Sequence, residues 1–309
     1  MTSTARPAVA LALPVASAFC FGFSGPLAKA LMSAGWTAGA ASVLRCAGAA
    51  AVLTLVAVAL GRPWSWPGRA ALWYGVFAVA LAQTAFFLSL ARMPVGVTLM
   101  IQFLAPVVVI GWERFVRRIP QPPATLVGAA LAIGGAVLVI DPFGSADLDP
   151  VGVGWAFASM VGQVGFFLLS SGEEDADPLV FTVTGLLVGA GLVGTLAAAG
   201  LVPFAVSGAD VLLRAHEMPW WAAYLPLAVV ATALAYLTGV AAVAALGSTL
   251  SSVILLSEVV FAVLAAWWLL GETIAPIQCL GGVVLVAGVA LARWRTVYAE
   301  EPEPEPEPA

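Results

Sequence analysis

The sequence predicts an all-α membrane protein, with ten transmembrane helices arranged as two inverted five-helix repeats. Three observations carry this expectation. Hydrophobic residues make up 62% of the 309-residue chain and charged residues only 9%, where a soluble domain carries roughly 25% charged residues. The apolar residues come in runs close to the ~20 needed to cross a bilayer as a helix. The punctuation of the first half of the chain also recurs in the second.

The apolar excess is too large for a single soluble core of this size, but it suits a surface that faces lipid. The runs are too long for barrel strands, which span with ~9–11 residues. Helices satisfy every backbone group within the segment, as hydrocarbon requires. The predicted helices fall near 8–29, 37–60, 70–91, 95–113, 124–141, 151–171, 179–201, 219–241, 247–269 and 275–293. Polar or turn-forming stretches separate them: Arg62-Pro63, Arg92-Met93-Pro94, Arg114 to Pro123, Asp141 to Pro150, Gly172 to Pro178, Gly208 to Pro219 and Gly271 to Thr273. The first run lacks a small-residue cleavage pattern and is expected to be a retained span.

With the N-terminus inside, the inner segments hold Arg6, Arg62, Arg69, Arg114, Arg117, Arg118, Arg293 and Arg295, and the outer ones Lys29, Arg92 and Arg214. The excess of inner cations predicts a multi-pass protein of the cell membrane with both termini in the cytoplasm. The acidic stretch Glu173-Glu174-Asp175-Ala176-Asp177 is inner, and acids weigh little in this rule.

A shift of 153 residues aligns Pro123 with Pro276, Gly128 with Gly281 and Gly135 with Gly288, and sets Ala105-Pro106 opposite Glu258-Val259. Two units follow, 8–141 and 151–293, with 294–309 expected as a disordered acidic Glu-Pro tail. Five spans is an odd number, so the second unit enters the membrane upside down, an arrangement common among secondary transporters.

Several function classes drop out. The net charge of −5 arises in the tail, which holds Glu300, Glu301, Glu303, Glu305 and Glu307, and no basic stripe points to nucleic acid. Cys20, Cys46 and Cys279 lie in apolar runs and read as inert buried thiols. The single histidine, His216, sits beside Glu217 in a loop, so neither a metal set nor a Ser-His-Asp set can be built. No phosphate-binding Walker loop is present. The expectation is no enzyme, no metal and no cofactor.

An ionisable group inside a membrane costs about 2.5–3.5 kcal/mol on insertion scales and needs a reason to be there. Glu258 lies near the middle of the ninth span. There it takes up and releases a proton, binds a substrate amine, or serves as a structural carboxyl. Arg45, in the second span, meets an anionic substrate group, pairs with an acid, or snorkels to the headgroups. Gln83, Gln102, Gln163 and Gln278 line a cavity or bond helix to helix. Ser248, Thr249, Ser251 and Ser252 open the ninth span, either as a packing face or as a path to Glu258. Pro26, Pro106 and Pro226 are hinges or plain packing kinks. Gly185 and Gly189 form a small-xxx-small pair suited to tight helix packing, and a homodimer stays open. Trp64, Trp66, Trp220, Trp221 and Trp294 sit at span boundaries, where an aromatic belt is expected.

The run Phe86-Phe87-Leu88-Ser89-Leu90-Ala91-Arg92-Met93-Pro94-Val95-Gly96-Val97, followed by Phe103-Leu104-Ala105-Pro106, resembles the third-to-fourth helix region of the drug/metabolite transporter superfamily. Ser248 to Ser252, then Leu256-Ser257-Glu258-Val259-Val260-Phe261-Ala262 and Leu270-Gly271-Glu272, resemble the ninth-helix signature of its EamA branch. Arg45 and Lys29 also fit. The nearest type is the threonine/homoserine exporter. Gln102 stands where those exporters often carry an acid, Val259 where proline often follows the glutamate, and Arg118-Ile119 in place of a second Gly-Glu.

The resemblance implies a permease that exports small metabolites such as amino acids through a cavity flanked by the fourth and ninth helices, coupled to protons or to exchange. Its partners would be a small-molecule substrate, protons and the lipid bilayer. The competing expectation is a non-transporting membrane component of a complex.

Overall fold

All ten apolar runs fold as helices in the computed structural model, which describes residues 7–64, 66–93, 95–140, 149–170, 177–271, 273 and 275–298. The first half holds α1 (Pro7–Gly22), α2 (Ser24–Ser33), α3 (Ala38–Ala59), α4 (Gly68–Tyr74), a π-helix π1 (Gly75–Leu81), α5 (Ala82–Leu90), α6 (Val95–Gln102), α7 (Ala105–Phe115) and α8 (Pro123–Ile140). The second holds α9 (Pro150–Ser170), α10 (Pro178–Ala198), the strands β1 (Val211–Leu213) and β2 (His216–Met218), α11 (Trp221–Ala228), a π-helix π2 (Val229–Leu234), α12 (Ala235–Leu255), α13 (Glu258–Leu270) and α14 (Pro276–Tyr298). Arg6, Pro94, the acidic 173–175 loop, Glu272 and the Glu-Pro tail lie outside the described residues, as do the side chains of Arg293, Trp294 and Arg295.

Among the described residues, six helical segments are long and apolar enough to cross a membrane: Leu11–Ser33, Ala38–Ala59, Gly68–Leu90, Pro150–Ser170, Pro178–Ala198 and Trp221–Leu255. Pro123–Leu138, Glu258–Leu270 and Pro276–Ala292 are shorter apolar helices. The shortfall from ten has a local cause in two places. The run predicted at 95–113 is cut into α6 and α7, and the one at 247–269 is joined to the preceding run within α12 across a non-helical kink at Gly247 (φ 78°) and is cut again before α13.

Three further expectations need correction. The stretch from Gly208 to Pro219 contains an antiparallel hairpin, with Val211 opposite Met218 and Leu213 opposite His216. Its turn residues Arg214 and Ala215 both have positive φ, so no Gly or Asn marked it in the sequence. The last helix continues past 293 to Tyr298 because no proline or glycine interrupts it there. Cys279 is exposed, unlike Cys20 and Cys46.

The most extensive helix contacts all cross between the halves: α8 with α14, α1 with α12, α3 with α10, and α5 with α9. Two large buried apolar clusters result, and a small third of Met93, Ile101 and Ala156, each drawing on both halves. The α8–α14 contact is the closest. Gly128 faces Gly288 and Ala292, while Gly135 faces Gly281 and Leu285, backbone against backbone. Residue numbers rise on one helix as they fall on the other, so the pair is antiparallel. Gly185 and Gly189 pack within the chain, against Tyr74 and Val79.

Loops pair at each end of the bundle. Arg62 after α3 meets Asp177 before α10 at 3.2 Å. Arg92 after α5 meets Asp149 before α9 at 3.0 Å. At the Arg92 end, the segment leading into the hairpin is strapped to the α2–α3 turn. The Trp36 indole N–H donates to the Ser207 carbonyl, and the Thr37 hydroxyl to that of Pro203.

Candidate functional site

Beside the kink at Gly247 in α12, helical geometry is interrupted at three places where one helix ends and the next begins almost at once. Pro26 lies in the first turn of α2, where its ring has no N–H to offer the carbonyl one turn back, and the chain breaks at Phe23. Pro106 does the same at the start of α7, and the break falls at Phe103-Leu104. Both proline hinge candidates therefore sit at real breaks. The third break, at Leu256-Ser257, has no proline, since Val259 occupies the matching place. There the Ser257 hydroxyl donates to the Ile254 carbonyl at 2.7 Å, competing with the helix ladder. The first break lies against α13, because Gly22 packs on Phe261 and Ala262 one turn into that helix.

The breaks and the π-helices follow the 153-residue shift. Leu256-Ser257 lies 153 residues beyond Phe103-Leu104, and π2 overlies the shifted π1. Inside a π-turn, backbone carbonyls lose their usual partners. Side chains take up the equivalent one in each half: Tyr236 Oη donates to the Ala78 carbonyl at 2.7 Å, and Arg45 Nη2 to the Ala231 carbonyl at 2.8 Å.

Arg45 is 0% exposed. Its Nε donates to Thr232 Oγ1 at 2.7 Å and its Nη1 to Ser24 Oγ at 2.6 Å. Its guanidinium carbon lies 5.2 Å from the centroid of the Phe87 ring. Snorkelling is thereby ruled out, since the charge is held inside the bundle by neutral acceptors from α2 and π2.

Glu258 opens α13 directly after the third break. It shares a helix face with the buried Ala262, Ala265 and Leu269, and it is partly exposed. Glu258 and Arg45 lie in each other's electrostatic field. Among the described residues no ion pair joins them, and the carboxylate has no hydrogen bond.

The other predicted residues divide. Gln83 is buried and donates through Nε2 to Tyr236 Oη at 2.7 Å. Gln102 and Gln163 meet, Nε2 to Oε1 at 3.5 Å, on facing helices α6 and α9. Ser252 is occupied by the Thr249 carbonyl. The Ser251 hydroxyl is buried without a partner. Gln278 lies apart from this centre, in an apolar groove between α13 and α14 with Cys279.

Sequence reasoning missed Ser24, Thr232 and Tyr236, whose types are unremarkable in an apolar run. It also missed Glu113, only 3% exposed, which accepts from Ser248 Oγ at 2.7 Å and pairs with Arg117 at 3.4 Å. Glu113 is the last residue of the helix predicted at 95–113, and Arg114, Arg117 and Arg118 had marked the stretch just after it as a loop. Lys29 lines two cavities at the Arg92 end. One, of ≈ 840 Å³, is lined by Trp36, Arg92 and Asp149, and the other, of ≈ 720 Å³, by Asp210, Arg214 and Trp268. Among the described residues no group of His, Cys, Asp or Glu is suited to a metal.

No curated protein sequence matches the chain. One solved crystal structure superposes on 96% of this chain and 100% of its own with a TM-score of 0.73. Its identity of 17% speaks to fold alone. The model of the EamA-like transporter family matches twice, over residues 8–141 and 150–294. With nearly the whole length covered by two copies of that model, the chain belongs to the EamA-like transporter family, whose members are membrane transporters of small molecules.

Proposed function

We propose that the chain is a secondary active transporter of the cell membrane that exports small metabolites such as amino acids, by proton antiport or exchange. In this reading it has ten spans, the short and broken helices included, and both termini are cytoplasmic. Its two five-helix units, 8–141 and 151–293, are inverted relative to each other and rock about the centre that holds Arg45 and Glu258. The antiparallel α8–α14 contact supports inversion. So do the contacts that come in exchanged pairs, α1 with α12 and α5 with α9.

One observation carries the reading: Glu258 stands at a helix break in the core, facing inward, partly exposed and without a hydrogen bond, in the field of a fully buried arginine. Broken helices at the membrane midplane are how transporters of inverted-repeat architecture build their sites.

The test is exchange of a metabolite panel by purified protein in liposomes, with and without a pH gradient, for wild type and Glu258→Gln. Gradient-driven movement that is lost in the variant supports the proposal. Folded protein that moves nothing in either condition returns the chain to the role of a non-transporting component.

A further inference from the structure

Residues 248–255 form a short helical segment with an interruption at either end. Gly247, just before it, has φ 78°, in the region where a glycine is at ease and other residues are strained. A side chain at Gly247 would meet open space, so the backbone there is free to turn. The break at Leu256-Ser257 follows the segment. A single carboxylate from the first half holds its leading end: Glu113, near the end of α7, accepts from Ser248 Oγ at 2.7 Å. The α7 side of this bond is fixed. Arg118 takes a positive φ, and the Ile119 N–H returns to the Glu113 carbonyl at 2.9 Å, which closes the helix end. Arg117 lies 3.4 Å from the same carboxylate oxygen, so Glu113 has a charged partner of its own besides Ser248.

The 153-residue shift carries this segment onto α6, and the two copies differ in two ways. Thr98 of α6 shares a hydrogen bond with Ser89 at 2.8 Å. Its counterpart, Ser251, is 0% exposed and its hydroxyl has no partner, with Ala242 standing where Ser89 stands in the first half. Buried hydroxyls are nearly always satisfied, so the segment is held where one of its own polar groups goes without. The same shift turns Glu113 and Ser248 into Ala266 and Val95, which cannot form the bond. The tie therefore exists at one end of the bundle only. The two cavities that share Lys29 lie at the other, the Arg92 end, where the run 95–113 begins.

We propose that Glu113 is a latch, a positioning residue that holds the hinged segment 248–255 against α7 and keeps the transporter closed at this end. The inference rests on the transport reading above and adds to it a residue remote from Arg45 and Glu258. Release swings the segment about Gly247 and Leu256-Ser257, frees the Ser251 hydroxyl from its position, and displaces Glu258, which opens the next helix. Arg117 stays with the carboxylate, so release strands no buried charge, the costly event in breaking a buried pair. What is lost is one hydrogen bond, which makes the latch strong enough to set the resting state and weak enough to reverse.

The experiment is thiol labelling of the full chain in liposomes. Ser252→Cys puts a reporter in the segment at a position only 1% exposed, and Cys279→Ser removes the exposed native thiol. Buried Cys46 on α3 serves as the internal reference. Rates of alkylation by a water-soluble maleimide are read site by site by mass spectrometry, with and without Ser248→Ala. The latch expects Ser248→Ala to speed labelling at position 252 about tenfold, the loss typical of one hydrogen bond to a charged group, while the rate at Cys46 holds. Ser248→Thr, which keeps a hydroxyl, should restore the slow rate, and Glu113→Gln, which keeps an acceptor without the charge, should fall between. A rate at position 252 that Ser248→Ala leaves untouched overturns the latch. Equal acceleration at position 252 and Cys46 overturns it too, since that is general loosening of the fold. Labelling needs no transported solute, so failure of the latch is read separately from failure of the transport reading in the liposome exchange assay.

Discussion

Gln83 and Tyr236 stand 153 residues apart, the spacing of the repeat, and they are hydrogen-bonded to each other at 2.7 Å. Equivalent positions of the two halves thus meet face to face. Tyr236 passes the bond on to the Ala78 carbonyl in π1. Removing the phenolic hydroxyl would strand two buried polar groups, at about 1–3 kcal/mol. We expect Tyr236→Phe to lower the melting temperature in detergent. The double variant with Gln83→Leu should lose less than the sum of the single losses, and strictly additive losses would show that the pair does not act as a unit.

The α8–α14 contact has no room for a side chain at Gly135, whereas Gly134, on the same helix, faces open space. Gly135→Val should destabilise the fold by about 1–3 kcal/mol through overpacking. Gly134→Val should change little. Equal melting points for the two variants would place the helices farther apart than described.

Pro106 withholds an N–H from the ladder between α6 and α7. Pro106→Ala allows that bond to form, at a net gain of about 1 kcal/mol. The variant should melt later and exchange substrate more slowly, as a stiffened hinge would. Unchanged exchange with raised stability would reduce Pro106 to a packing kink.

Asp149 caps α9 outside the apolar spans. The Gly152 N–H first, and then the Arg92 guanidinium, hold its carboxyl below the ordinary carboxylate range. A depressed carboxyl contributes stability above its unfolded pKa and loses it as the pH falls through its folded pKa. Asp149→Ala should therefore melt below wild type at neutral pH, with the gap closing in acid below the carboxylate range. A gap that stays constant down to strong acid would mean the charge is not what matters.

Residues 153 apart already suggested the duplication in the sequence, and all ten runs proved helical. What could be read was periodic or proline-marked: Pro26 and Pro106 do lie at breaks. The break at Leu256-Ser257 left no such mark, because a serine hydroxyl bonding back to Ile254 depends on geometry rather than residue type. Both π-helices were equally silent, having ordinary apolar composition. At the site, Arg45 and Glu258 stood out because charge in an apolar run is rare. Their supporting residues did not, since the value of Thr232 or Ser24 lies in where the fold puts an oxygen. Glu113 was overlooked for the opposite reason, hidden among arginines that suggested solvent.

The glycine seam between α8 and α14 has one more property. Gly288 rests on Gly128 and Ala132, and Gly135 rests on Gly281 and Leu285. Shifting either set by the repeat length turns it into the other, so the seam is complementary to itself. A polypeptide comprising only one half would carry a surface that fits a second copy of the same polypeptide laid in the opposite sense. Fusing the halves into one chain fixes their ratio and their relative direction. It also frees the two sides to diverge, as an arginine on α3 and a glutamate on α13, neither repeated in the other half, illustrate.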